Sequence, residues 1–338
     1  MRKLFLIFLM PLSVLLAHAQ MDTLLLPYDA TSLTTEQQAS NPSVLAYPTS
    51  IRDQMPGMFC AATFTIDEQG HKVEFSPGNL QYQASTGLWR FAEHQWDYVG
   101  DATRGTVYEN GVKCDNALIG DDYTGWIDLF AWGTSGWYRR AEYYEPTSTS
   151  TDRFNRDHYY VGQRASNNLE GDYANADWGV YNQIGNDPPN TWRTLSKAQW
   201  EYLINQRPNS ENLWGWGEVN GVNGFILLPD KWITVNGVSF VPAGGGVDIN
   251  IYTIAEWDIM ERQGAVFLPK AGQRRDRNVN TGVGYYWSTT ANTTNADYPG
   301  NKTIYIDAYS IRTSDSFGIS ISSEMRCYGL SVRLVKDL

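Results

Sequence analysis

The sequence contains the runs Gly264-Ala-Val-Phe-Leu-Pro269, Gly284-Tyr-Tyr-Trp-Ser-Thr-Thr290 and Tyr328-Gly-Leu-Ser-Val-Arg-Leu-Val335. Each is a short apolar or alternating run bounded by Gly, Pro, Asn or Asp, a pattern that is typical of strands joined by loops. In the last run, apolar residues at every second position give one wholly apolar face and one partly polar face. We therefore predict that Leu330–Val335 is a half-buried strand.

The segment between Thr290 and Tyr328 is rich in Asn, Thr, Ser, Asp and Tyr, and strands frame it on both sides. Polar segments on a rigid frame are common binding surfaces, and Tyr and Arg are frequent at binding hot spots. Alternation in Thr303–Asp307 places Ile304 and Ile306 inward. We predict a ligand-binding surface for an extracellular protein or glycan, made of Tyr305, Asp307, Tyr309, Arg312, Asp315, Glu324 and Arg326. A solvated face without a partner is the competing interpretation.

Residues 1–19 have the features of a signal peptide. Arg2 and Lys3 form a basic start, an apolar run follows, and Ala17-His-Ala19 matches a cleavage signature. The apolar run is shorter than the roughly 20 residues that a membrane span needs. We therefore predict export to the periplasm, the cell surface or the medium, with no transmembrane span in the mature chain.

The remaining sequence divides into an arm and a domain. Residues 20–57 carry four prolines among Ser, Thr, Gln and Ala, which predicts an extended arm or linker. Residues 58–338 are predicted to form a single domain. Its region from about 96 to 190, rich in Gly, Asp, Asn, Tyr and Trp, is interpreted as a large loop insertion held in place by buried aromatic residues.

The charge argues against anionic partners. The formal net charge is -11, and it becomes -13 once the two cations Arg2 and Lys3 are removed. Nucleic acids and anionic membranes bind clustered Lys and Arg, so neither is expected as a partner. Three cysteines are too few for a disulfide framework. A Cys60–Cys327 bridge that ties the first strand to the last is the preferred pairing, and the state of Cys114 stays open.

The order of the predicted elements indicates an α+β protein. Residues 62–66 and 72–75 alternate around a turn and predict a hairpin, and further short strands are expected at 80–82, 88–91, 225–229 and 238–241. Ser196-Lys-Ala-Gln199 and Thr253-Ile-Ala-Glu256 are capping boxes, each of which predicts the start of a short helix. We predict a mostly antiparallel sheet with two short helices and long aromatic-rich loops.

Several of these blocks together resemble the Fibrobacter succinogenes major paralogous domain of exported Bacteroidetes-type proteins. The blocks that carry the resemblance are Trp192–Leu203, Gly224–Trp232, Gly264–Gly272, Tyr286–Thr289 and Gly329–Val335. The resemblance implies a C-type-lectin-like fold, in which the terminal strands pair. It also implies kinship with formylglycine-generating enzymes and with receptor-binding proteins whose C-terminal residues are diversified by retroelements.

The chemistry of those relatives is only partly represented. Formylglycine-generating enzymes use a pair of nearby cysteines in the C-terminal region, whereas this chain has only Cys327 there, so that activity is not expected. Sugar-binding C-type lectins carry a Pro-containing tripeptide followed by Trp-Asn-Asp; here Trp287-Ser-Thr289 stands in place of the second motif, and the Pro-containing tripeptide is missing. No cofactor is predicted, although Asp121-Asp122 and Asp187 leave a calcium site open. Neither a serine nucleophile elbow nor a histidine–carboxylate dyad is evident.

Three function classes therefore remain. We prefer an exported binding module that uses the C-terminal polar surface, with no enzyme activity. The alternatives are an exported enzyme that acts on polysaccharides and a structural surface or adhesin subunit. The enzyme alternative would use the aromatic loops as a sugar platform, with Trp132, Trp137 and Tyr138 as the stacking residues.

Overall fold

Strands account for most of the regular structure. The computed structural model describes residues 62–99, 125–134, 154–155, 159–162, 164–234, 237–242, 249–275, 278–293, 307–314 and 318–338. All of them belong to one unit of the chain, Pro48–Leu338. The predicted signal peptide, the whole predicted arm, Cys60 and Cys114 lie outside the described residues, so the proposed disulfide stays a prediction.

The described strands are short, and their bounds are as follows: β1 Phe64–Thr65, β2 Lys72–Phe75, β3 Leu80–Gln83, β4 Leu88–Phe91, β5 Phe154–Asn155, β6 Tyr160–Val161, β7 Arg193–Thr194, β8 Trp214–Val219, β9 Val222–Leu227, β10 Ile251–Tyr252, β11 Val266–Pro269, β12 Gln273–Arg275, β13 Asn278–Asn280, β14 Gly284–Asn292, β15 Asp307–Ser314, β16 Gly318–Met325 and β17 Leu334–Asp337.

These strands form mostly antiparallel sheets. One sheet has the order β1-β2-β17-β7, a second has the order β10-β8-β9-β11, and a third is the meander β14-β15-β16. Two-stranded ribbons pair β3 with β4, β5 with β6 and β12 with β13. The one parallel strand pair among the described elements joins β10 to β8. The predicted α+β class with mostly antiparallel sheet is therefore confirmed.

The early and late strands of the described chain lie side by side. β17 is hydrogen-bonded to β2 on one side and to β7 on the other, both antiparallel. β2 in turn pairs with β1 through the predicted hairpin. The last strand therefore occupies the middle of its sheet, as expected for a fold in which terminal strands pair.

Both predicted capping boxes are confirmed. They begin helix α2, Lys197–Glu201, which a π-helical turn at Tyr202–Gln206 continues, and helix α3, Ile254–Arg262. A shorter helix, α1, lies earlier in the chain at Trp178–Tyr181. Ser196 and Thr253 each accept an N–H with the side-chain oxygen while the residue three positions on returns a hydrogen bond. Such a cap stabilises a helix by about 1 kcal/mol.

The helices are short, so packing holds them. Trp200, Leu203 and Ile204 are buried on one face of α2 and its continuation, and Trp257 and Met260 are buried on one face of α3. Short 3-10 turns complete the helical elements at Gly171–Ala176 and Ser210–Asn212. No helix among the described residues is long and apolar enough to cross a membrane.

The prediction of a half-buried strand at Leu330–Val335 is wrong. Leu330, Val332 and Leu334 pack in one hydrophobic cluster together with Trp287. Val335 packs in a second cluster on the other side. Both faces are therefore covered, and the regular strand begins only at Leu334.

The predicted strand at 238–241 is also wrong. Instead of pairing with a strand, Val241 exchanges hydrogen bonds with the Asn250 side chain, which accepts from its N–H and donates to its C=O, both at 2.8 Å. The Asn250 side chain also donates to the C=O of Trp216 in β8 at 2.6 Å. A single amide side chain thus substitutes for the missing strand ladder.

Candidate functional site

The predicted ligand-binding residues fall on two faces of the β14-β15-β16 meander. Successive side chains of a strand point to opposite faces. Asp307 and Tyr309 are two residues apart in β15 and share one face, whereas Arg312 points to the other. Glu324 of β16 pairs with Ala308 and therefore shares the side of Arg312. We call these the Asp307 face and the Glu324 face. The structure does not bring the predicted residues together on one surface.

On the Asp307 face, three polar side chains form a hydrogen-bonded chain. Asn292 Nδ2 donates to Ser323 Oγ at 2.8 Å, and Ser323 Oγ donates to Asp307 Oδ2 at 3.0 Å. The three residues come from three adjacent strands, β14, β16 and β15. These hydrogen bonds fix the orientation of the partly exposed Asp307 carboxylate before any ligand binds.

Tyr309 lies on the same face and is flanked by the start of α2. Lys197 Nζ lies 4.8 Å from the centroid of the Tyr309 ring and 3.1 Å from Glu201 Oε1. The helix start is tied to the sheet, because the Lys197 N–H donates to Thr290 Oγ1 at 3.0 Å. A cation held over an aromatic face is attracted by about 0.5–1 kcal/mol at an exposed position. We refer to Asp307, Ser323, Asn292, Tyr309 and Lys197 as the Asp307 cluster.

On the Glu324 face, the carboxylate is enclosed by protein groups. Gln273 Nε2 donates to Glu324 Oε2 at 2.6 Å, and Ser322 Oγ donates to Oε1 at 3.2 Å. Arg275 Nη2 lies 3.7 Å from Oε2, and its guanidinium lies 5.0 Å from the ring centroid of Tyr328. Glu324 is 9% exposed, so its hydrogen bonds hold the β12 ribbon on the sheet.

Arg326 and Trp132 were both predicted to lie on a ligand-binding surface, and that prediction is wrong because both are buried. Trp132 is fully buried and Arg326 is 1% exposed, with the guanidinium 4.2 Å from the Trp132 ring centroid. Arg326 donates to the carbonyl oxygens of Asp307 and Ala165 at 2.8 and 2.6 Å. Burial lowers the pKa of Arg326 to about 9, against the opposing effect of Asp307. The pair fastens a loop to the sheet instead of presenting a surface.

Several predicted residues lie outside the described parts of the chain: Tyr305, Asp315, Trp137, Tyr138, Asp121 and Asp122. Asp187 is described, and its carboxylate accepts a hydrogen bond from Trp192 Nε1 at 2.7 Å. In the described ranges, no three His, Cys, Asp or Glu side chains are grouped as a metal site would require. The calcium question therefore stays a prediction.

Sequence reasoning missed three members of the Asp307 cluster: Ser323 and Asn292, which form a hydrogen-bond chain with Asp307, and Lys197, which lies over the Tyr309 ring. Lys197 was interpreted only as the second residue of a capping box, and Ser323 and Asn292 as generic polar residues. The sequence of β16 also alternates, and the two-residue period that puts Ile319 and Ile321 on one face puts Ser323 there too. Asn292 and Lys197 become neighbours only through strand register and helix packing.

Comparison with protein-family models, with curated proteins and with solved structures finds no match for this chain. The geometry of the described residues therefore carries the functional argument.

Proposed function

We propose that the chain is an exported ligand-binding module that recognises a protein or a glycan through the Asp307 cluster. The observation that carries the proposal is the Asn292–Ser323–Asp307 hydrogen-bond chain beside a cation-flanked tyrosine. A pre-oriented carboxylate and an aromatic ring on a rigid sheet lose little conformational entropy when they bind.

The chemistry of the Asp307 cluster suits a ligand rich in hydroxyl or amide groups. The Asp307 carboxylate accepts hydrogen bonds, Lys197 donates them, and the Tyr309 hydroxyl can do both. The Tyr309 ring adds an apolar surface for a sugar ring or for the side chain of a partner protein. Among the residues described, the tyrosine hydroxyl has no hydrogen-bond partner, so a ligand does not have to displace one.

A C-type-lectin-like arrangement is part of the same proposal. The pairing of β2 with β17 and the two capped helices support it. In that arrangement the β14-β15-β16 meander is the element that displays the ligand surface. The polysaccharide-acting alternative loses one of its three stacking residues, because Trp132 is buried beneath Arg326, whereas Trp137 and Tyr138 stay predictions.

The test is binding of residues 20–338 to a glycan array and to an array of surface proteins, with calcium and with a chelator. We expect a ligand whose affinity falls by about tenfold or more in Tyr309→Ala and in Asp307→Asn, since each removes a central contact. Tyr181→Ala and Asp172→Asn are matched controls, because both side chains are exposed and neither residue belongs to a strand of the meander.

Two outcomes would count against the Asp307 cluster. If both variants bind an identified ligand as tightly as the unchanged chain does, the site lies elsewhere. If sugar binding requires calcium and survives both substitutions, the ligand is held by a metal site built from other residues.

A further inference from the structure

Strand β16 has an inner edge, beside β15, and an outer edge. β15 occupies its inner side over the whole length, from Asp307–Met325 to Ser314–Gly318. No described strand pairs with its outer side, so β16 is an edge strand of eight residues. The direction of its backbone groups follows from hydrogen bonds elsewhere in the meander.

Those hydrogen bonds involve β14 and the segment before β17. Trp287 N–H donates to Ser331 O, and Ser331 N–H donates to Tyr285 O, at 3.1 and 3.0 Å. Tyr285 and Trp287 therefore turn their backbone groups away from β15, and Tyr286 between them turns toward it, because the direction alternates along a strand. Its partner Ile311 must in turn face β14.

The same alternation carries across to β16. Since Ile311 faces β14, the next residue, Arg312, faces β16, and its partner Ser320 faces β15. On β16 this leaves Ile319, Ile321 and Ser323 with their N–H and C=O groups directed at the open edge. The Met325 carbonyl, next in this series, accepts from Tyr328 N–H instead of from β15, which agrees with the assignment.

The edge strands of the two four-stranded sheets are protected, whereas the described residues show no such protection for β16. The edge strands β1, β7 and β10 have two residues each, and β11 ends in Pro269 and donates its Phe267 N–H to the Gln95 side chain. Proteins protect exposed edges with short strands, Lys, Pro or bulges. β16 is long, contains neither Lys nor Pro, and pairs with β15 without a break in register.

The β16 sequence is suited to pairing with itself. In an antiparallel arrangement about a two-fold axis at Ile321, Ile319 would lie opposite Ser323 of the second copy and Ser320 opposite Ser322. The one charged residue of the strand, Glu324, would lie opposite Gly318, so no like charges face each other. The two Ile321 side chains, each partly exposed in a single copy, would cover one another.

We propose that two copies of this chain associate through the open edge of β16 and form one continuous six-stranded sheet. The N–H and C=O groups of Ile319, Ile321 and Ser323 would all be paired across the two-fold axis. Residues on one face of β16 continue onto the same face of the partner, so both Asp307 clusters would point to the same side. The dimer would therefore present two ligand surfaces and bind a multivalent ligand with avidity.

The test uses opposite charges at the two-fold axis and measures mass by sedimentation velocity over a range of concentrations. Ile321→Lys and Ile321→Glu each place two like charges side by side in a homodimer, so each should weaken self-association by roughly tenfold or more. An equimolar mixture of the two variants should restore the dimer, because Lys then faces Glu. A variant that merely misfolds would not be restored by mixing.

The matched controls are Ile251→Lys and Ile251→Glu, which make the same changes on the edge strand β10, where Ile251 is 56% exposed. We expect both to dimerise like the unchanged chain. The chain is strongly acidic, so added salt should strengthen the dimer by screening repulsion between copies.

A chain that stays monomeric at the highest soluble concentration overturns the proposal, and so does a dimer that the Ile321 variants leave intact. These measurements need no ligand. A negative result for dimerisation therefore does not count against ligand binding by the Asp307 cluster, and a negative result for ligand binding does not count against the dimer.

Discussion

Strand β16 and the segment Leu330–Val335 lie close together in the sequence and differ sharply in their surroundings. In both, apolar residues alternate with polar ones, and each contains one charged residue, Glu324 in β16 and Arg333 in the segment. The segment is covered on both faces and hydrogen-bonded to backbone on both sides, whereas no described strand borders the outer edge of β16, and most of its side chains are partly exposed. Neighbouring elements, more than the residues of a strand, decide what its polar groups do.

In the covered segment the polar groups hold the interior together. Arg333 is fully buried; Nη2 donates to Gln95 Oε1 at 2.8 Å, and Nη1 lies 3.5 Å from Asn79 Oδ1. Gln95 in turn donates to the Ala265 carbonyl oxygen and accepts from Phe267 N–H. The arginine thus links the end of the chain to a loop and to β11. On β16, by contrast, Ser320 is exposed.

The largest predicted effect is at Arg333. Arg333→Ala should lower the free energy of unfolding by roughly 4 kcal/mol, because it empties a buried volume and removes a hydrogen-bond donor from Gln95. Arg333→Met fills most of that volume and should cost roughly half as much. Urea denaturation followed by circular dichroism measures both changes.

Ser320→Ala is the control for this prediction on β16, and it should change the free energy of unfolding by about 0.5 kcal/mol or less. If Arg333→Ala costs no more than Ser320→Ala, the buried arginine does not stabilise the fold and the contrast between the two regions fails.

An effect of intermediate size depends on pH. Asp177 is fully buried, and although Gly179 and Thr194 donate backbone N–H groups to it, burial raises its pKa from 3.8 to about 6. The folded state then keeps a proton that the unfolded state releases. The free energy of unfolding should therefore fall as the pH rises from 3.8 to about 6, by up to about 3 kcal/mol, and this penalty persists above pH 6.

Asp177→Asn cannot ionise, so its own stability curve lacks this fall. The measurement is the difference in unfolding free energy between the unchanged chain and Asp177→Asn, at several pH values between 4 and 7. Thr194 lies in β7, which pairs with β17. This experiment therefore tests the surroundings of the covered segment Leu330–Val335 and not those of β16. A difference that stays constant with pH would show that Asp177 ionises normally in the folded protein.

The smallest effect compares two isoleucines of the meander. Ile311 in β15 is fully buried, whereas Ile319 in β16 is partly exposed. Ile311→Val should cost about 1 kcal/mol and Ile319→Val about 0.3 kcal/mol, because less surface is buried toward the open edge. Equal costs in urea denaturation would mean that Ile319 is as well covered as Ile311.

Local patterns in the sequence predicted local structure correctly. The hydrogen bonds of a capping box join residues three apart, so Ser196 and Thr253 marked both helix starts without knowledge of the rest of the fold. The first hairpin followed from alternation around turn residues, and the strands β3 and β4 lie where short strands were predicted. In each case the interaction that forms the element lies within the element.

Strand β8 was missed because glycines made its sequence unlike a strand. Trp214–Val219 contains Gly215 and Gly217, and Gly is depleted in strands. Here the glycines are required by close packing: a Cβ on Gly217 would lie 2.6 Å from the Asn250 carbonyl oxygen, and one on Gly215 would lie 2.9 Å from that of Val241. The segment that presses on β8 is the one wrongly predicted as a strand.

The candidate site was predicted in part for a similar reason. Both Asp307 and Tyr309 were among the predicted ligand-binding residues, and they lie on one face of β15. Alternation could not show that Arg326 turns inward against Trp132, because that contact depends on a loop more than 150 residues earlier in the sequence. Likewise, the alternating pattern of Leu330–Val335 could not show that other parts of the fold cover both faces of this segment.

The central position of β17 has a consequence for the order of events during synthesis. A nascent chain emerges from the ribosome N-terminus first, so β1, β2 and β7 are available long before residues 334–337. Until β17 emerges, β2 and β7 have no strand between them, and their sheet cannot close. Closure of this sheet must therefore wait until β17 has been made, and pairing of strands so far apart in the sequence is a slow step in folding.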